Sequence, residues 1–198
     1  MSRIINYNFF HWGPFLYKTA ITKEELNLIK NLCHKKKNKD FRKRLAGILR
    51  HEYEVDRKKL FSIIAPYFES YLKAFSENYH GKPLGNKIEL MSSWVNYMTK
   101  FESNPLHTHD RDLSFIIFTQ VQKDLLEEHS KNIGNTKPGC INFIYSLEDR
   151  KELINQHTFF PEVGDLFIFP ACLYHYVNSF QCEGERISVS GNLEVTDG

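Results

Sequence analysis

The sequence predicts a mainly β protein of the α+β class, with helices at its N-terminal end and an antiparallel sandwich or jelly roll as its core. Apolar residues follow helical spacing over roughly the first third of the chain. From about residue 87 the pattern changes to short segments rich in β-branched and aromatic residues. Because these segments follow one another closely without intervening helices, an antiparallel arrangement is favoured over a parallel α/β sheet.

The N-terminal part is predicted to contain two helical regions. Thr22 to Glu25 has the form of a capping box, and the apolar spacing after it predicts a helix over about 23–36. Asp56 can cap a second region, in which Pro66 either kinks the helix or starts a new one. That region is expected to end at Gly81 and Pro83.

The β part is predicted to contain seven short strands. Their sequences are KIELMSSWVNYMTK, DLSFIIFTQV, CINFIYS, HTFFP, DLFIFP, HYVNSF and RISVSGNLEV. The polar stretch 122–137 is interpreted as an insertion between strands that forms a surface loop or a lid.

The length of 198 residues and the hydrophobic content of 41 % are those of one folded domain. We expect residues 1–198 to form a single domain, with 1–85 as a helical N-terminal support and 86–198 as the β core. No apolar run approaches the ~20 residues of a membrane span. The four cysteines show no C-x-x-C pair, which favours free thiols and a cytoplasmic location.

Positive charge is concentrated in residues 35–59. This segment holds 11 Lys or Arg against 4 Asp or Glu, so it carries +7 in a chain whose net charge is +2. Such a run is most often a solvated surface. The alternative is a non-catalytic β-sandwich module that binds nucleic acid through this segment.

The stretch NPLHTHDRDLSF, residues 104–115, contains four potential metal ligands: His107, His109, Asp110 and Asp112. Side chains at positions i and i+2 of a strand share a face, so His107 and His109 can point into one cavity. In a regular strand Asp110 would face away.

The C-terminal part adds a second group of candidates. His175 stands at the start of a predicted strand, and Arg186, Ser188 and Ser190 alternate along the last one. An arginine that points into an apolar barrel requires an anionic partner, because burying a bare charge is costly. A small carboxylate held by the planar guanidinium, with a serine hydroxyl beside it, would satisfy that requirement.

Several motifs in order resemble a known family. The motifs are W-V-N-Y, N-P-L-H-T-H, D-L-S-F, a distal histidine after G-D-L-F-I-F-P, and R-I-S-V-S-G-N. Together they are similar to the iron(II)- and 2-oxoglutarate-dependent oxygenases, and more narrowly to the prolyl-hydroxylase-like oxygenases of phage and bacterial genomes. The resemblance spans about residues 45–195. It implies a double-stranded β-helix, the cupin-like form of the jelly roll, and the host cytoplasm as the location if the protein is phage-encoded.

Position by position, the resemblance implies roles for individual residues. His107 and His175 match the iron-binding histidines. Arg186 matches the residue that pairs with the distal carboxylate of 2-oxoglutarate, assisted by Ser188. Where this family usually has Asp or Glu, the chain has His109; the third ligand is therefore His109, Asp110 or water, and strand alternation favours His109.

Further residues are expected around this site. Asn96 and Tyr97 are candidates for contact with 2-oxoglutarate or substrate, although packed strand residues are an equal alternative. Five apolar side chains are candidates for dry walls, although each is individually more often part of the ordinary core: Phe115, Ile117, Phe143, Phe167 and Phe169.

The predicted function is a dioxygenase that uses Fe(II), 2-oxoglutarate and O2 to hydroxylate an unknown peptide, protein or small molecule, with succinate and CO2 as coproducts. A prolyl or other peptidyl residue is one candidate substrate. The alternatives are a three-histidine cupin-type dioxygenase that does not use 2-oxoglutarate and the non-catalytic binding module described above. The cupin-type alternative gives no obvious use to Arg186 beside Ser188. The sequence does not indicate an oligomeric state.

Overall fold

The computed structural model describes residues 13–35, 38–78, 84–134, 136–146 and 155–197. The helices are α1 (Lys23–Lys30), α2 (Arg57–Asn78) and α3 (Lys123–Lys131), with a short 3-10 helix at Arg42–Arg44. The strands are β1 (Tyr17–Ala20), β2 (Glu52–Glu54), β3 (Lys87–Met98), β4 (Asn104–His107), β5 (Leu113–Gln120), β6 (Ile141–Ile144), β7 (Gln156–Phe159), β8 (Asp165–Pro170), β9 (Tyr174–Val177) and β10 (Arg186–Thr196).

The strands form two antiparallel sheets. The larger sheet has the order β1-β8-β5-β10-β3-β2, and the smaller has the order β4-β9-β6-β7. From β3 onwards the chain passes repeatedly from one sheet to the other, which produces the interleaved sandwich of a double-stranded β-helix. The predicted fold class is thus confirmed.

The larger sheet is buried on both faces. On one face Val95, Ile117 and Val189 pack in a cluster with Leu60 and Ile64 of α2. The opposite face, which looks toward the smaller sheet, contributes a second cluster: Met98, Ile116, Phe118, Phe167 and Phe169 with Ile141, Phe143 and Val177. Since strand side chains alternate, each residue of a central strand belongs to the helix side or to the space between the sheets.

Helix α1 begins as predicted but ends earlier. The capping box is present: the Glu25 amide donates to Thr22 Oγ1 at 3.2 Å, and the Thr22 amide donates to Glu25 Oε2 at 3.0 Å. The helix was predicted over 23–36, but it ends at Lys30, where the chain turns. Asn38 Nδ2 donates to the Leu32 carbonyl at 2.9 Å, which occupies an acceptor that a longer helix would have used.

Helix α2 contains Pro66 within one continuous element, so Pro66 does not start a new helix. Asp56 caps it as predicted, because Asp56 Oδ1 accepts from the amides of Lys58 and Lys59 at 3.1 Å. The predicted end at Gly81 and Pro83 lies outside the described residues.

Two parts of the chain differ from the sequence prediction. The N-terminal part, expected to be helical only, also supplies β1 and β2 to the two edges of the larger sheet. The stretch 122–137, expected to be a loop or lid, contains α3, whose Leu125 is fully buried. The division of the chain at residue 85 stays a prediction.

Two further observations bear on the sequence analysis. Cys33, Cys140, Cys172 and Cys182 are free thiols, as predicted. Within the described ranges, no helix has both the length and the apolar character needed to cross a membrane.

Candidate active site

Three histidines converge at one end of the space between the sheets. His107 ends β4 and lies opposite His175 on β9. His109 follows two residues after His107, and its amide donates to the Ala171 carbonyl at 2.9 Å. The candidate ligand atoms of the three side chains all lie within 4.8 Å of one another. This spacing suits three ligands of a single metal ion.

Backbone hydrogen bonds orient two of these rings. His107 Nδ1 lies 2.7 Å from the Pro105 carbonyl oxygen, and His175 Nδ1 lies 2.9 Å from the Leu173 carbonyl oxygen. A carbonyl can only accept, so each Nδ1 carries the proton and each Nε2 keeps its lone pair. Both rings therefore present the tautomer that can bind a metal through Nε2.

Burial keeps the three imidazoles neutral. It disfavours the charged form and lowers the pKa of His109 to about 4 and that of His175 to about 3. The pKa of His107 is also lowered, chiefly by burial. Neutral imidazole is the form that coordinates metals, so no proton has to leave at neutral pH.

Neither neighbouring aspartate joins the histidines. Asp110 is exposed. Asp112 has a structural role: its Oδ2 accepts from the Val195 amide at 2.8 Å, and its carbonyl accepts from the Ala171 amide at 3.0 Å. Because β4 ends at His107, the bond from the His109 amide to Ala171 helps to position His109, and strand alternation alone does not.

Arg186 is buried between the sheets without a carboxylate partner among the described residues. It is 1 % exposed, and its Nη1 donates to the Gly139 carbonyl at 2.8 Å. Its guanidinium carbon lies 5.2 Å from the centre of the Phe118 ring, and no described residue forms a hydrogen bond with its Nε. Burial lowers the pKa of Arg186 to about 10. An uncompensated buried cation with an unused donor fits an anionic ligand such as a carboxylate of 2-oxoglutarate.

The register of β3 and β10 separates the other candidate residues. Ser188 lies opposite Asn96, and both share the inner face with Arg186. Asn96 Oδ1 is buried and has no hydrogen-bond partner in the described part of the chain. Tyr97 lies opposite Ile187 on the other face, where its ring packs 6.1 Å from that of Tyr53. The expected contact of Tyr97 with cosubstrate is therefore corrected, because successive side chains of a strand point to opposite faces.

The same alternation corrects part of the predicted apolar wall. Phe115 and Ile117 belong to the cluster on the helix side of the sheet. Phe169 and Phe143 do lie by the histidines, with ring centres 4.9 Å and 6.2 Å from that of His175. Phe167 belongs to the same cluster between the sheets, together with Ile116 and Phe118, which the sequence analysis did not select.

A cavity that the sequence analysis missed opens beside the histidines. It measures about 150 Å³ and is lined by Arg44, Leu45, Ala46, Gly47, Glu52, Trp94, Asn104, His107, Thr108 and His109. A wider groove of about 440 Å³ shares four of these residues and leads outward: Arg44, Leu45, Thr108 and His109. Half of the cavity lining comes from the basic segment 35–59. In the sequence Glu52 is one of four acidic residues of this segment, and no local signal marks it as a cavity residue.

Part of the charge in the basic segment is compensated by ion pairs, although two of the partners, Asp40 and Asp56, already count in its net charge of +7. Four of its cations are in ion pairs: Lys35 with Glu185, Arg42 with Asp40, Arg50 with Glu102, and Lys59 with Asp56. Such pairing reduces the positive potential that would attract a polyanion.

The family model described as "Putative 2OG-Fe(II) oxygenase" matches residues 92–192, which are 101 of the 198 residues. The chain belongs to this family. Membership in the iron(II)- and 2-oxoglutarate-dependent oxygenases confirms the resemblance found in the sequence, and it makes the chain an oxygenase that uses Fe(II) and 2-oxoglutarate. No curated protein matches the chain significantly in sequence.

Solved structures of this oxygenase class share the fold of the chain. An oxidoreductase of the 2OG-Fe(II) oxygenase family from Burkholderia pseudomallei is 14 % identical, with a TM-score of 0.57 over 92 % of this chain and 84 % of that one. A prolyl-4-hydroxylase from Pseudomonas putida is 12 % identical, with a TM-score of 0.56 over 91 % and 92 %. HygX from Streptomyces hygroscopicus, with nickel and 2-oxoglutarate bound, is 12 % identical, with a TM-score of 0.54 over 93 % and 83 %.

Proposed function

We propose that His107, His109 and His175 hold the Fe(II) of this oxygenase, and that Arg186 with Ser188 holds the distal carboxylate of 2-oxoglutarate. The observation that carries the proposal is the convergence of three ligand atoms within 4.8 Å in a sandwich whose inner face also buries an uncompensated arginine. The substrate is a peptide, a protein or a small molecule.

Some residues of the proposed site bind Fe(II) and 2-oxoglutarate, and others exclude water. Three neutral imidazoles would hold Fe(II) through their nitrogen lone pairs. When bound, Fe(II) and 2-oxoglutarate supply the oxidation of a substrate C–H bond by O2, with release of succinate and CO2. Phe143 and Phe169 keep bulk water from the side of His175, and Arg186 fixes the cosubstrate by charge and two-donor geometry.

Arg186 favours this function over a three-histidine cupin-type dioxygenase without 2-oxoglutarate. Such an enzyme would leave a fully buried guanidinium with only one protein carbonyl as its acceptor. Asn96, opposite Ser188 on the same inner face, belongs to the proposed cosubstrate pocket, and Tyr97 does not.

The nucleic-acid-binding alternative receives less support. Four cations of the segment 35–59 pair with acidic side chains, and residues 44–47 form the wall of the cavity beside the histidines. We assign residues 44–47 and Glu52 to the mouth of the active site.

The similar structures do not identify the substrate of this chain. One of them is described as a prolyl-4-hydroxylase, and HygX has also been solved with hygromycin B bound. A prolyl or other peptidyl residue remains one candidate. The free cysteines support the proposed cytoplasmic location, where thiols stay reduced.

Anaerobic titration tests the proposal directly. Fe(II) should bind one per chain, and 2-oxoglutarate should then bind to the iron-loaded protein. Admission of O2 should release succinate in amounts that depend on 2-oxoglutarate. Iron binding without any affinity for 2-oxoglutarate would favour the cupin-type alternative, and absence of iron binding would exclude both.

A further inference from the structure

The cavity beside the histidines contains an unused carboxyl group. Glu52 is 2 % exposed, yet its Oε2 has no hydrogen-bond partner among the described residues. It lies on β2 opposite Asn96 of β3, and it lines the same cavity as His107 and His109. A buried carboxylate without donors is costly, so a native protein that retains one at a cavity requires a reason for it.

A second acceptor lies in the same cavity. Asn104 Oδ1 is also buried, and no residue within the described ranges donates a hydrogen bond to it. Gly47 brings its backbone close to both groups: a Cβ at this position would lie 2.5 Å from Asn104 Oδ1 and 2.9 Å from Glu52 Oε1. Only glycine fits at this position, because any side chain would collide with these two acceptors and, at 2.4 Å, with Leu49 Cδ1.

From this arrangement we infer that Glu52 and Asn104 form the specificity site for a cationic, donor-rich group of the substrate, an ammonium or guanidinium. Such a group carries several N–H donors and the charge that a carboxylate requires. The inference rests on the proposed function, because it places this group beside the metal-binding histidines.

The surrounding charges are compatible with a bound cation. Burial and the nearby Glu102 carboxylate raise the pKa of Glu52 to about 7, against the opposing effect of Arg42, so the group is mainly ionised at pH 8. Arg44 lines the cavity too, but it is exposed, and its guanidinium lies 5.6 Å from the Phe41 ring. With three neutral imidazoles, the charge of Fe(II) is balanced by dianionic 2-oxoglutarate, so the loaded centre does not repel a cation.

The test uses n-butylammonium as the probe and n-butanol, similar in size and uncharged, as its control. Binding is measured by isothermal titration calorimetry at pH 8 to the anaerobic protein loaded with Fe(II) and 2-oxoglutarate, and to the metal-free protein. We expect the amine to bind at least about tenfold more tightly than the alcohol, as one buried charged hydrogen bond predicts. Glu52→Gln should abolish this preference. Glu54→Gln, which changes an exposed carboxylate two residues further along the same strand, should keep it.

Gly47→Ala provides a second variant, because its methyl group would displace Asn104 Oδ1, Glu52 Oε1 or Leu49 Cδ1 and should weaken amine binding without changing any charge. Equal binding of amine and alcohol by the wild type, or an unchanged preference in Glu52→Gln, would overturn the inference. Loss of iron or 2-oxoglutarate binding in Glu52→Gln would also overturn it, since Glu52 would then serve the metal centre. A wild type that binds the amine but neither iron nor 2-oxoglutarate would refute the proposed function and leave this cation site standing.

Discussion

His107 and His175 lie directly opposite each other on neighbouring antiparallel strands, with ring centres 4.2 Å apart, although they are far apart in the sequence. The pairing of β4 with β9 fixes this contact, because a shift of one residue would turn one ring to the other face. The register is irregular between Asn104 and His107. This irregularity lies just before the H-x-H motif formed by His107 and His109.

Replacing His175 should remove the metal. We expect His175→Ala to weaken Fe(II) binding by about 100-fold or more, because even indirect partners of metal ligands contribute about 10- to 100-fold. Anaerobic titration with Fe(II) measures the effect. Asp110→Ala is the matched control, since this exposed carboxylate lies outside the histidine group and its loss should leave affinity within about twofold. Strong loss of iron in the control would show that Asp110 moves in to bind.

Substitution of His109 tests which group supplies the third iron ligand. His109→Ala should weaken Fe(II) binding at least about tenfold, whereas His109→Asp should recover most of it. The reason is that two histidines and one carboxylate form a common iron(II) site. Binding of Fe(II) by the two variants is compared with that of the wild type. If His109→Ala binds iron as tightly as the wild type, water rather than His109 completes the site.

Arg186 should contribute to cosubstrate binding and not to folding. Arg186→Leu should weaken 2-oxoglutarate by about 30-fold or more, as expected when a buried charge pair loses one partner, and should leave Fe(II) affinity unchanged. The Tm of the ligand-free variant should stay equal to that of the wild type or rise, because the substitution removes an uncompensated buried cation. Arg42→Leu, at an exposed arginine, is the control. Unchanged affinity for 2-oxoglutarate in Arg186→Leu would exclude this role.

Glu52 should make the stability of the metal-free protein fall as pH rises. Its pKa is raised from the ordinary value of 4.5 to about 7, first by burial and then by Glu102, against the opposing effect of Arg42. Between these two values the folded state binds more protons than the unfolded state, so the free energy of unfolding decreases with pH.

We expect Glu52→Gln to lessen this decrease by on the order of 2 kcal/mol between pH 5 and pH 8. Denaturant unfolding at the two pH values measures it. For each protein, the free energy of unfolding at pH 8 is compared with that at pH 5. This removes any constant contribution from the introduced amide, which can itself donate to Asn104. Parallel stability profiles for variant and wild type would show that Glu52 is not the responsible group.

Gly191 should be required for packing of the larger sheet. A Cβ at this position would lie 2.6 Å from the Phe115 ring and 2.6 Å from the Ser92 carbonyl oxygen. Gly191→Ala should therefore destabilise the protein by about 1–3 kcal/mol, the usual range for overpacking. The denaturant midpoint measures this, and Gly134→Ala, whose Cβ would be 3.4 Å from its nearest neighbour, serves as the control. Equal midpoints for the two variants would contradict the expectation.

The sequence by itself determined the elements with strong local signals. The capping box at Thr22, the cap at Asp56 and the alternation in β10 all depend on residues within a few positions of one another. The H-x-H motif and the alternation of Arg186 with Ser188 were visible for the same reason. Local periodicity also predicted the jelly roll, because closely spaced short strands can bury their faces only against another sheet.

Only the tertiary structure decided which face of each strand points toward the histidines. Alternation is visible in the sequence, but its phase depends on what packs against each side, so Tyr97, Phe115 and Ile117 were placed on the wrong face. The edge strands β1 and β2 were missed because their partners lie far along the chain. Glu52 and Gly47 became visible as neighbours of the histidines only through folding, since the long-range pairing of β2 with β3 brings Glu52 and residues 44–47 to the cavity beside the histidines.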